Sequence, residues 1–271
     1  MRKLLALSVL LIVFVVSAAL LPQRVVATSQ QAYQDFLYQF DLYRQSYSDF
    51  QVSKNEYEKF QSLPAQTDAL NRTKTMLAGR DQLLRSYLLL LDEKLTEDQG
   101  LTASTKVLYQ TLVRNEASFL ADDANKITAV ASIPDAEQAS SNLESHYNIL
   151  QSSVKQILIG LALGQLSLLS KYYDNNVSLA QTLIASYSGS MTPDKQQTVN
   201  RWILQIKNKR SFYQQKYDEI NAEDTNLSAR DSQDLDDKYN TMTQGLADAR
   251  QYLVEGASYL VELKNELKYT Q

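Results

Sequence analysis

The sequence predicts an all-α protein: an elongated antiparallel bundle of about six long helices with coiled-coil-like packing around a long central helix. Three observations lead there. The 271 residues include only 7 Gly and 4 Pro, too little punctuation for many short strands, while Leu, Ala, Gln, Lys and Glu favour helix. Apolar residues recur at three- and four-residue steps over most of the chain. The run from Gln156 to Ser170, QILIGLALGQLSLLS, is apolar on nearly every side, and such a helix must be enclosed by other helices or by lipid. Its uncharged part ends at Lys155 and Lys171 and is diluted by Gln165, Ser167 and Ser170. It therefore falls short of a crossing of ~20 apolar residues, and enclosure by helices is the expectation.

At the N-terminus, Arg2 and Lys3 precede an uninterrupted apolar block, Leu4 to Leu21. With Val25-Val26-Ala27 ahead of Thr28, residues 1–27 read as a secretory signal peptide, or as an N-terminal membrane anchor with the basic residues kept inside the cell. Either reading puts residues 28–271, the helical domain, in an extracytoplasmic setting: secreted, periplasmic or at the outer face of a membrane. The chain has no cysteine, so neither a disulfide framework nor a thiolate metal site is available, and stability must come from packing.

The first helix is expected from about Gln30 to Gln61, with an aromatic stripe Tyr33, Phe36, Phe40, Tyr43, Tyr47, Phe50 and Tyr57. Core packing is the expected role of that stripe, and a glycan- or peptide-binding face is the sharper alternative. Tyr38 and Leu42 lie off it and point to a second buried edge or a partly exposed aromatic surface. Pro64 interrupts the pattern, and a second helix follows from about Gln66 to Leu95 with Leu70, Leu77, Leu84, Leu88, Leu91 and Leu95 inside. Thr102 is the expected N-cap of a third helix to about Ala131, carrying Leu108, Leu112, Phe119 and Ile127, with Asp122 and Asp123 breaking its rhythm.

Ser132-Ile133-Pro134-Asp135 turns the chain into the central helix, at about 135–188, which is long enough to be shared by two sub-bundles. Asp174-Asn175-Asn176 is the one cluster of weak helix formers where it would kink. Gly160 and Gly164 lie on one face and permit a close backbone approach. Ser188-Gly189-Ser190 ends this helix, and Thr192-Pro193 starts a fifth with Val199, Trp202, Ile206, Tyr213, Tyr217 and Ile220 on one stripe. The sixth, from about Asp231 to Lys268, repeats every 3.5 residues from Leu235 to Leu267, and its opening acids suit the helix dipole. A faint echo between Ser86-Tyr87-Leu88 and Ser258-Tyr259-Leu260 is explained by chance in leucine-rich helices.

The chemistry-bearing residues are few. His146 is the single histidine, so hydrolytic triads and most zinc sites lack their parts, and the residue reads as a hydrogen-bonded helix-interface histidine. No phosphate loop, dinucleotide fingerprint or nucleophile elbow occurs. The segment from Asp224 opens like a calcium loop but has Ala229 where the turn glycine belongs and Leu235 where the bidentate glutamate belongs. Lys207, Lys209 and Arg210 form the one local basic cluster, read as a solvated helix face, and the three glycosylation patterns at Asn71, Asn176 and Asn226 carry little weight. Without Arg2, Lys3 and Arg24 the remainder has 24 basic against 31 acidic residues, a net charge of −7, which does not suit nucleic acid.

The sequence accordingly names no catalytic, cofactor-binding or metal residues. The expected function is that of an exported, non-enzymatic structural, scaffold or protein-interaction protein of the cell envelope or the space outside. Its partners would be another protein or a second copy engaged through helix faces, with membrane contact only through residues 1–27. The alternative is an extracytoplasmic ligand-binding module with a Tyr-rich interhelical pocket, where Trp202 would report a ligand entering the second half.

Overall fold

The computed structural model describes residues 28–227 and 232–268. The segment expected to direct export or anchor the chain lies outside them, as do Ser228, Ala229 and Asp231. Among the described residues the fold is all-α, with six long helices and no strand: α1 (Ser29–Phe60), α2 (Leu63–Glu97), α3 (Ala103–Thr128), α4 (Ile133–Tyr187), α5 (Pro193–Asp224) and α6 (Ser232–Lys268).

Local chemistry sets the boundaries. The hydroxyls of Thr28, Ser62, Thr102, Ser132 and Thr192 each accept from a backbone N–H three residues on, satisfying one of the donors a helix start leaves free. In α2, α4 and α5 a proline in the first turn sits where its missing N–H is not needed. Pro64 therefore begins α2 rather than simply interrupting α1. The break belongs to Gln61, which adopts a left-handed φ of 50° and donates its N–H to the Tyr57 carbonyl.

Successive helices run back and forth, each against the one before. Ser29 at the start of α1 bonds Glu97 at the end of α2, and Lys74 in the first half of α2 donates to the carbonyls of Thr128, the last residue of α3, and Val130 just beyond it. α6 then runs beside α4 in the same direction, tied to it by the ion pair of Lys155 with Asp236. The core divides along α4. Its first half packs Leu143, Leu150, Ile157 and Leu161 against Leu88, Leu91 and Leu95 of α2 and Tyr109, Val113 and Leu120 of α3. Its second half packs Leu166 and Tyr173 against Ile206 and Tyr213 of α5 and Leu253, Leu263 and Leu267 of α6. In the middle Ile157, Ile159, Leu161 and Leu163 are all buried, because helices cover α4 on both sides there. This is the enclosed run expected from the sequence.

α4 is unbroken over 55 residues, about 82 Å at 1.5 Å per residue. It does not end at Asp174, because Arg210 of α5 holds that carboxylate at 2.8 and 3.0 Å and Tyr173 donates to the Ile206 carbonyl beside it. Tertiary contacts override the weak propensity of that cluster. By length and composition α4 with its terminal 3-10 turn could cross a membrane, yet half of its most apolar stretch is buried against the other helices.

Two expectations are corrected. In α3, Leu108 is 48% exposed, and the buried face is instead Tyr109, Val113, Glu116, Leu120, Asp123 and Ile127. In α1 only Ala32 and Ser53 are fully buried, while Tyr33, Phe40 and Tyr47 are exposed and Phe36, Tyr43, Phe50 and Tyr57 are half-buried. α1 packs chiefly on one neighbour, α2, and a single contact covers a narrower strip than an enclosed helix receives. Tyr38 and Leu42 belong to the exposed aromatic surface.

Candidate functional site

The two halves join at a crossing built from glycines. A Cβ on Gly100 would lie 1.6 Å from the Gly164 carbonyl oxygen, so the α2–α3 turn touches the α4 backbone directly. Asp98 holds that turn by accepting from the N–H groups of Gly100 and Leu101 at 2.8 and 2.7 Å. One turn earlier, a Cβ on Gly160 would lie 2.3 Å from the Tyr109 ring. Tyr109 passes α4 across this gap and donates its hydroxyl to Asp224 at the end of α5, at 2.6 Å. One hydrogen bond thus links α3 to α5 over the waist of α4, fulfilling the close approach expected of the two glycines.

Asp224 is 1% exposed and its second oxygen has no partner among the described residues. Burial pushes its carboxyl up to about 7, against the lowering effect of the Tyr109 hydroxyl, and burial beside Asp224 pushes the Tyr109 phenol up strongly. The residue that opened a calcium-like loop therefore turns inward as a helix tie. A second buried acid pair lies between α2 and α3. Asp81 and Asp123 are 0% and 1% exposed, and among the described residues Asp81 Oδ2 and both oxygens of Asp123 meet no donor. Burial, and the facing Asp123, push Asp81 up to about 7 against the pull of Arg80.

His146 takes the interface place expected of it. Its Nε2 lies 2.7 Å from Glu116 and its ring stacks on Phe119 at 3.6 Å. Ser153 donates to the other Glu116 oxygen at 3.1 Å, so the acid stands between serine and histidine. This order ties α3 to α4 and leaves the histidine directed at the acid rather than at the serine. The basic cluster, expected as a solvated helix face, is instead largely drawn into the bundle: Lys209 pairs with Glu255 of α6 and Arg210 with Asp174 of α4, and Lys207 alone of the three is exposed.

The open surfaces are grooves between helices. One, of about 470 Å³, runs between the second half of α4 and the end of α6 and is lined by Leu169, Tyr172, Leu179, Leu183, Val254 and Val261, with Asn176 and Lys264 among its few polar residues. Every one of those six apolar side chains is substantially exposed, Leu179 at 68%. In the first half, the aromatic stripe of α1 forms one wall of a cleft against α4, with α2 as floor. Tyr43 faces Tyr147 and Glu144 across Arg80 in a space of about 540 Å³, and Phe50 and Tyr57 continue the wall beside Ala136 and Glu137 in one of about 370 Å³.

Sequence reasoning missed Asp81, Glu116, Asp123 and the Tyr109–Asp224 tie. The signal for two of them was present: Tyr109, Val113, Glu116, Leu120, Asp123 and Ile127 alternate steps of four and three, so the inward rhythm of α3 continues through its acids. Comparisons of the chain with known protein families, with curated proteins and with solved structures find no match.

Proposed function

We propose that this protein is an exported, non-enzymatic scaffold that associates with other macromolecules through the outer faces of its helices. The single observation that supports this reading is the distribution of polar and apolar groups. Buried polar residues tie helices to one another, while large apolar side chains stand uncovered along the groove between α4 and α6 and along α1. Contiguous exposed apolar surface of this kind marks contact sites, because a self-sufficient monomer gains by burying it. Within this reading the elongated form follows the spine of α4, with one sub-bundle on each half, and export rests on the apolar block at Leu4–Leu21.

The test is a photo-crosslinking residue placed at Leu179, and separately at Tyr38, in the protein as cells produce it. Covalent adducts from at least one face, recovered from the extracytoplasmic fraction, are the expected result. A chain that stays in the cytoplasm, or that gives no adduct from either face, contradicts the proposal.

The ligand-binding alternative is favoured by one feature, the cleft between α1 and α4. Arg80 borders it, among Tyr43, Tyr147 and Glu144, with Nη2 lacking a hydrogen-bond partner among the described residues. Ligand entry there would change tyrosine emission. It would leave Trp202 silent, because that side chain packs on Tyr259 in the other half.

A further inference from the structure

We propose that the groove between α4 and α6 receives a second copy of this chain, the two copies related by a twofold axis so that the α4 ridge of each lies in the groove of the other. The inference rests on the scaffold reading above and names the partner of one of its faces.

The first argument is charge. The remainder of the chain after residues 1–27 is acidic, at −7, so most pairs of faces on two copies repel. From Asn175 to Tyr187 α4 carries no charged residue, and among the described residues Lys264 is the one charged side chain lining the groove. This stretch of exposed helix can therefore meet its own kind without bringing acids together or stripping them of water.

The second argument is shape and area. Leu169, Tyr172, Asn176, Leu179 and Leu183 follow one another at steps of three and four, so they form a straight ridge about 21 Å long. Val254 and Val261, seven residues apart on α6, form the opposite wall. Ridge and groove on the same surface are self-complementary, as a twofold interface requires. Leu169, Tyr172, Leu179, Leu183, Val254 and Val261 together expose on the order of 600 Å² of apolar side chain per copy, near the ~800 Å² per partner of a standard interface.

The chain has no cysteine, which makes the test direct. Full-length Leu179→Cys carrying a tag is co-produced with untagged full-length Val261→Cys, and the exported fraction is oxidised and run without reductant. Both sites are exposed, so folding is not at stake. A tagged band at twice the chain mass is expected, at least tenfold stronger than with Tyr38→Cys in place of Leu179→Cys, and reduced at least tenfold by Val254→Glu on both chains. A band no stronger than the Tyr38 control overturns the proposal. So does a link from Leu179→Cys to Ile12→Cys of the same chain, which would make the N-terminal segment the occupant. An adduct of some other mass also overturns it while leaving the scaffold reading intact. A Leu179→Cys thiol that stays free and fully reactive overturns the proposal, and overturns the scaffold reading with it when Tyr38 gives no adduct either.

Discussion

Burial makes a carboxyl hold its proton more tightly, because the charged form loses its water, and two residues of this protein are shifted this way. Asp81 and Asp224 are both pushed from 3.8 up to about 7, chiefly by burial. Because the folded state holds these protons more tightly than the unfolded chain, the two groups weaken the fold progressively as pH rises from about 4 to about 7, and no further above that. Asp224→Asn, which keeps an acceptor for Tyr109 and cannot ionise, is expected to gain melting temperature relative to the natural protein as pH is raised over this window. Thermal unfolding at pH 5 and pH 8 checks it, and a difference independent of pH contradicts the burial argument. Ion pairs such as Arg210 with Asp174 differ, being partly exposed and screened. None of this polar interior was legible from composition. An acid at an inward position reads as a break in a pattern until a partner such as Tyr109, 115 residues away in sequence, is brought beside it.

At the scale of the helix, spacing and caps carried most of the information. Thr102, Thr192 and the Ser132-Ile133-Pro134 turn act as their residue types dictate, and Leu235, Met242, Ala249, Leu253, Leu263 and Leu267 of α6 are buried at the positions their rhythm assigns. α1 was harder to read, because an aromatic stripe has the same spacing whether two helices cover it or one. Leu161, inside the core of the first half, is expected to cost ~2–5 kcal/mol when changed to Ala, through lost burial and a residual cavity. Urea unfolding measures this, and a change below about 0.5 kcal/mol would mean that the side chain is not enclosed. Gly160→Ala tests the waist from the opposite direction. Its methyl group meets the Tyr109 ring, so overpacking of ~1–3 kcal/mol is expected, partly relieved in a Tyr109→Phe background that frees the ring from Asp224. Equal costs in both backgrounds would mean that the ring gives way without disturbing the tie.

For the whole molecule, α4 is the element on which both cores, both grooves and the glycine waist depend. α2 and α3 cover its first half, with α1 packed on the outer side of α2, while α5 and α6 cover its second. The scaffold reading requires this helix to be a rigid spine, since a hinge at Asp174 would uncouple the α4/α6 groove from the aromatic cleft at the other end. The enclosed run Gln156–Ser170 made the spine legible in the sequence. Its continuity was not, because Asp174-Asn175-Asn176 is a plausible break until Arg210 and the Ile206 carbonyl are seen to hold Asp174 and Tyr173 where the cluster begins. The most direct measurement is a spin-label distance between Asn142→Cys and Gln181→Cys, both exposed positions on α4, in a chain with no other cysteine, diluted with unlabelled protein. An unbroken helix places the two backbone positions about 58 Å apart and gives one narrow distribution near that value. A distribution centred below about 50 Å, or split into two, would mean that α4 bends at its polar cluster, and the spine would be lost.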